Sequence, residues 1–193
     1  MRPKRRYHSR RPLNSQSGLS LIEALIALAV LLVVAVGVLA LGSVALTTTE
    51  VQGHLMARTA EYAQDKMEQL LALKFCDATS DTTVLPTNPA GGQGLAGCSA
   101  PLNINGTGAG GSSDPNAAAA GYVDYLDNGG NLLPIGAGGA APAGWKYIRV
   151  WQISSANATN TVKQITVSVK VGSAPGSGLL PQSTLTALKT YPF

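Results

Sequence analysis

The sequence predicts an α+β fold, with a long N-terminal membrane-spanning helix and an antiparallel β-sheet packed on the helix's C-terminal half. Three observations carry this prediction. Ala24 to Leu46 is a run of 23 residues without a charge. An amphipathic helical period follows it, from Val51 to Leu71. Towards the other end, Lys163 to Val171 alternates strictly and puts Ile165, Val167, Val169 and Val171 on one face, as a half-buried strand requires. The chain has 193 residues, enough for one domain with a modest core. Charged side chains make up only 12% of it, about half the usual share, so part of the chain is not built for water.

At the standard rise the charge-free run is ~34 Å long, a match to a hydrocarbon core of ~30 Å. It is too long for the apolar region of an ordinary cleaved secretory signal. Arg2, Lys4, Arg5, Arg6, Arg10 and Arg11 precede it, and the next cation is Arg58. That asymmetry predicts a cytoplasmic N-terminus and an exported C-terminal part. The basic pI of 9.2 is therefore a property of the first 18 residues. The remaining 175 residues carry eight basic and ten acidic side chains, which do not make the basic patch that nucleic acid requires.

Glu23 sits inside the apolar stretch, after Leu19, Leu21 and Ile22. An acid in lipid is costly and calls for a cationic partner. A cut after Gly18 would create one, a new amine at Leu19, four residues from the carboxylate. Gly18-Leu19-Ser20-Leu21-Ile22-Glu23, behind a basic leader and ahead of an apolar helix, resembles the type IV prepilin signature. The resemblance implies that a prepilin peptidase cleaves between Gly18 and Leu19 on the cytoplasmic face and methylates the new amino terminus of Leu19. It also implies that Glu23 is the glutamate used in assembly. A glycine suits the cut, because it leaves an open backbone and interrupts helix.

Beyond the membrane, Val51, Leu55, Tyr62, Met67, Leu70 and Leu71 mark an apolar face, with Gln52, Arg58, Glu61, Asp65 and Glu68 on the other side. The helix is expected from about Ser20 to Lys74, ~80 Å long at the standard rise. With a sheet on its C-terminal half, it resembles the ladle of pilin-like subunits. Gly37, Gly42 and Gly53 read as close-packing sites, with local melting during assembly as the alternative. Five regions follow: a leader at 1–18, the membrane and assembly helix at 19–49, its amphipathic half at 50–76, a Gly-rich variable region at 77–144 and a C-terminal sheet region at 145–193.

Fifteen of the 22 glycines lie between Gly91 and Gly144, so the fourth region is expected to be variable surface or partly unstructured. A hairpin is expected inside it, from Tyr122 to Leu126 into the turn Asp127-Asn128-Gly129-Gly130. In the last region, Trp145 to Ile153 reads as a strand paired with the alternating one, and Leu185 to Thr190 as an edge strand.

The even count of two cysteines on the exported side favours a Cys76–Cys98 disulfide, two free thiols being the alternative. No catalytic set stands out. His8 lies in the leader and His54 on the helix, and no Cys/His spacing suits zinc. Asp124, Asp127 and Asn128 before Gly129 form an incomplete calcium loop, with Leu126 where a ligand is needed, so a turn is the better reading. Asn105-Gly106-Thr107 and Asn157-Ala158-Thr159 match a glycosylation tripeptide too short to carry weight.

The expectation is therefore a structural subunit, not an enzyme, with no metal and no cofactor. The resemblance implies a minor type IV pilin, a fimbrial subunit used in pilus assembly, priming or tip adhesion. Its implied partners are the prepilin peptidase, other major and minor pilins, the assembly machinery of the inner membrane and membrane lipid. Its implied location is the inner membrane as a single-pass protein with a periplasmic domain, and then the pilus at the cell surface. A type II secretion pseudopilin shares the leader and helix and is the nearest alternative. A signal-anchored exported enzyme or binding module is the distant one.

Overall fold

A computed structural model describes residues 20–87, 89–99, 106–136, 140–172 and 180–192. The chain divides into two compact units, Met1–Leu46 and Thr47–Phe193. Helix α1, Leu21–Ala72, contributes to both. It is the one described helix long and apolar enough to cross a membrane.

In the first unit α1 starts where the carbonyl of Ser20 accepts the amides of Glu23 and Ala24 at 2.9 and 3.1 Å. No proline interrupts the helix, and it runs unbroken through Gly37 and Gly42. Every Leu, Ile and Val from Leu21 to Leu46 is exposed.

In the second unit the rest of α1 packs on a six-stranded antiparallel sheet. Its strands are β1 (Gly110–Gly111), β2 (Val123–Leu126), β3 (Leu132–Leu133), β4 (Tyr147–Ser155), β5 (Val162–Val171) and β6 (Gln182–Thr190). The order is β3-β2-β4-β5-β6, and β1 pairs with the far end of β4, opposite Gln152 and Ile153. The α+β class is as the sequence predicts. The β2–β3 hairpin stands on the expected turn, where the Asp127 carboxylate accepts the amides of Gly129 and Asn131 at 2.7 and 2.9 Å.

Period-two alternation decides what the sheet buries. Tyr147, Trp151 and Ile153 of β4 and Ile165, Val167, Val169 and Val171 of β5 form one core with Tyr62, Met67 and Leu70 of α1. Burying each aliphatic side chain contributes ~1.5–3 kcal/mol. The other face of β2 and β4 carries a smaller cluster, Val123, Tyr125, Ile148 and Val150. The expected apolar helix face is shifted: Val51 is 44% exposed, and the buried stripe is Thr59, Tyr62, Ala63, Lys66, Met67 and Leu70.

The described residues of the Gly-rich region carry more regular structure than its composition suggests. It contains a 3-10 turn at Thr82–Val84 and three of the six strands. Some of its glycines serve close approach: Gly111 has a φ of +84°, and a Cβ there would overlap the carbonyl oxygen of Trp151. That is why β1, two glycines with no side chain to alternate, has no signal in a hydrophobic pattern.

Candidate functional site

Gly18 and Leu19, the expected cleavage and methylation positions, lie outside the described residues, as do the leader and Asn105. Glu23 lies in the first turn of α1 with an exposed side chain. Around it Leu21, Ile22, Leu25 and Ile26 are 55–79% exposed. A Cβ at Gly37 or Gly42 would meet no side chain or other element within 4 Å among the described residues. This segment exposes its Leu, Ile and Val side chains and has one acid near its start. An exposed apolar helical surface of this length and composition is suited to lipid or to other apolar helices.

Among its described residues the second unit holds a disulfide and two buried charge sites. Cys76 and Cys98 are bonded, with Cα atoms 5.0 Å apart. Phe75 and the two cysteines form a small buried cluster of their own. Asp77, just after Cys76, organises the loop neck. Its carboxylate accepts the amides of Thr79 and Ser80 at 3.0 and 2.9 Å and the Ser80 hydroxyl at 2.6 Å. Burial pushes the Asp77 carboxyl up, but these hydrogen bonds and the charge of Lys74 hold it below the usual carboxylate range.

The first charge site ties α1 to the sheet. Lys66 Nζ donates to Asp124 Oδ2 at 2.7 Å and to the carbonyl of Thr82 at 2.5 Å, and lies 4.1 Å from the Trp151 ring centroid. Arg149 donates to both Asp124 oxygens, Nε at 2.7 Å and Nη2 at 3.0 Å, and its Nη1 donates to Asp65 at 2.9 Å. Lys66 and Asp124 are 0% exposed and Arg149 3%. Burial alone would raise the Asp124 carboxyl, yet the two cations hold it below the usual carboxylate range. The ionised carboxylate gripped by two cations clamps α1 to β2 and β4.

The second is Lys163 of β5, 2% exposed, whose Nζ donates to the carbonyls of Leu95, at 2.5 Å, and Gly97. Burial lowers its ammonium to about 8, with Asp77 opposing and Lys189 adding to the fall.

The sequence-based site reading missed Lys66, Arg149 and Lys163, though periodicity marks all three. Lys66 falls on the stripe of Tyr62, Ala63, Met67 and Leu70; Arg149 has the parity of Tyr147 and Trp151; Lys163 has that of Ile165 and Val167. A charge on an apolar face announces a buried partner. Asp124, considered as part of a calcium loop, is that partner for Lys66 and Arg149, while Asp127 holds its own turn. Among the described residues no three His, Cys, Asp or Glu side chains come together. Asn157 is bound into the β4–β5 turn: its Nδ2 donates to Thr159 and Thr161 at 2.9 and 2.7 Å, and its Oδ1 accepts the Val162 amide at 3.2 Å.

Residues 13–39 match the family model of the prokaryotic N-terminal methylation motif. The match spans the expected cleavage site, Glu23 and the first part of α1. No curated protein and no solved structure matches the chain.

Proposed function

We propose that this type IV pilin-like chain is a minor pilin: an inner-membrane subunit cleaved between Gly18 and Leu19, N-methylated at Leu19 and assembled into a pilus through its apolar helix. The observation that carries the reading is the N-terminal methylation motif at residues 13–39 running into a helix whose Leu, Ile and Val side chains from Leu21 to Leu46 are all exposed. The six leader cations favour a cytoplasmic N-terminus. The Cys76–Cys98 bond suits an oxidising compartment on the other side. Glu23 pairs with the amine of a processed Leu19, of its own chain or of a neighbour, and the need for that pair sets the register of an incoming subunit. The Gly-rich region at 77–144 favours the pilus over a type II secretion pseudopilin, which would share the motif and the helix. Prepilin peptidase, other pilins and the assembly machinery are the partners of this reading.

Processing tests it first. Intact mass of chain extracted from membranes containing an active prepilin peptidase should correspond to a mature chain that begins with N-methylated Leu19. Gly18→Phe should leave only the uncleaved form and exclude it from sheared fibres. Recovery of the unaltered chain wholly uncleaved would sink the reading. Recovery in a secretion-system pseudopilus and never in pili would move it to the pseudopilin.

A further inference from the structure

Both arms of the disulfide loop are held by one side chain that belongs to neither. Lys163 donates from Nζ to the carbonyls of Leu95 and Gly97, and lies 5.0 Å from the Phe75 ring centroid. Phe75 directly precedes Cys76, and Gly97 directly precedes Cys98. Across the same neck the amides of Leu95 and Gly97 donate to the carbonyl of Asp77 at 2.8 and 2.9 Å. The two arms are thus joined by two backbone hydrogen bonds and a shared lysine, none of which involves sulfur.

The lysine stands there because of its register. Lys163 pairs with Ser155 of β4 and Lys189 of β6, on the sheet face that also carries Ile165 and Val167. Its stem lies within the protein, and the amine has two carbonyl acceptors in place of water. The charged groups that face it are Asp77, across the neck, and Lys189, beside it in the sheet. An ammonium has three N–H donors and a neutral amine two, so either form can serve both carbonyls.

We propose that Lys163 is the positioning residue for formation of the Cys76–Cys98 bond. It draws the segments at 75–77 and 95–98 together before any sulfur chemistry, so the reduced chain presents its thiols as a preorganised pair to a disulfide oxidant. One cysteine thiolate attacks the oxidant's disulfide and expels one of its sulfurs as thiolate. The other cysteine thiolate then attacks the mixed disulfide and expels the second. Two protein thiols are oxidised, one oxidant disulfide is reduced to two thiols, and the protons balance between them. The inference stands apart from the fibre role, since it concerns only the exported unit.

The probe is glutathione. The whole chain, in detergent micelles, is equilibrated with reduced and oxidised glutathione, and the effective concentration of one thiol at the other is read from the disulfide fraction. Lys163→Met should lower it by roughly tenfold or more, the scale of lost preorganisation. Lys170→Met removes a cation from the opposite face of β5, where Lys170 bonds Asn116, and should leave the value unchanged. Hydrogen exchange on the reduced, unaltered chain supplies a second reading that survives even if Lys163→Met fails to fold. The amides of Leu95 and Gly97 should stay protected without the disulfide. An unchanged effective concentration in Lys163→Met, or loss of protection at both amides on reduction of the unaltered chain, would overturn the proposal.

Discussion

From Leu21 to Leu46, α1 leaves every large apolar side chain in the open, Leu21 at 79% and Leu41 at 75% exposed, whereas between Thr59 and Leu70 the same helix hides a lysine, Lys66, at 0%. One stretch exposes what water rejects, and the other buries what water prefers. The difference lies in where the partners are. Lys66 finds a carboxylate and a carbonyl inside its own chain, at 2.7 and 2.5 Å. The Leu, Ile and Val side chains from Leu21 to Leu46 are exposed instead, and removing their apolar surface from water, at ~25 cal/mol per Å², is a gain that lipid or another helix would supply. A residue type is neither core nor surface by itself. The location of its partner decides, and that yields separate mutational signatures for the two stretches: stability for the second, association for the first.

The largest stability effect should come from the carboxylate at the centre of the clamp. Asp124→Ala leaves Lys66 and Arg149 buried and facing each other, and loss of one partner of a buried ion pair costs about 3–5 kcal/mol. Denaturant unfolding of the whole chain in micelles, followed by tryptophan fluorescence, measures this, because Trp151 lies against Lys66. Replacing Lys66, Asp124 and Arg149 together by Met, Leu and Met should recover most of the loss, since an apolar substitute for a whole buried cluster is often neutral. A single Asp124→Ala change that moved stability by less than ~1 kcal/mol, the range of an exposed pair, would show that the clamp is solvated.

Reduction of Cys76–Cys98 should come next. The bridge spans a sequence separation of 22, for which the chain-entropy argument gives ~3 kcal/mol. The loss should appear in unfolding of the sheet unit, with no change in helical signal from Leu21 to Leu46. An equal loss in both would erase the contrast between the two stretches.

Acid should act on the second stretch in the same way, and its sign follows from the carboxylates. Asp124 and Asp77 are held below the usual range in the folded chain. Over that interval the unfolded chain binds more protons than the folded one. The stability these groups supply is therefore complete above the ordinary aspartate range and is lost as pH falls through their lower folded values. Unfolding free energy measured from neutral pH downward should be flat until the ordinary aspartate range and fall below it. Asp124→Leu with Lys66→Met and Arg149→Met should flatten that fall. A triple variant as acid-sensitive as the parent would place the sensitivity elsewhere.

Much of this was legible in the sequence, and what escaped did so for physical reasons. The charge-free run and the alternation of Ile165, Val167, Val169 and Val171 state their elements directly, because one residue type repeats at one period. The methylation motif is local, so it can be read without the fold. The clamp is not local: Lys66, Asp124 and Arg149 come from a helix and two strands, and only the pairing of Asp124 with Arg149 across β2 and β4 brings the charges together. Each was visible as a charge in an apolar period, yet nothing in one element names its partner in another. Order in the Gly-rich region was hidden for a different reason. Its strands β1 and β3 are two residues each, and the loop neck is held by backbone amides and by Lys163 from a distant strand, not by a local pattern of side chains.

The smallest stability effect should belong to Glu23, the residue with the largest expected effect on assembly. Glu23→Ala alters an exposed side chain in the first turn of α1, and a surface change away from any buried feature stays within about ±0.5 kcal/mol. Sheet unfolding, membrane insertion and cleavage after Gly18 should all match the parent, since none of them uses the carboxylate. Incorporation should not match it. Within a bundle of apolar helices the amine of a processed Leu19 would be an uncompensated charge without Glu23, and low dielectric makes that charge expensive. The measurement is the ratio of subunit in sheared fibres to subunit in the membrane, taken for both chains alongside the unfolding curve. A fall in the ratio with an unchanged curve assigns Glu23 to association and keeps the two stretches of α1 apart. A ratio equal to the parent's would make Glu23 a boundary acid at the edge of lipid, and the register role proposed for it would be withdrawn.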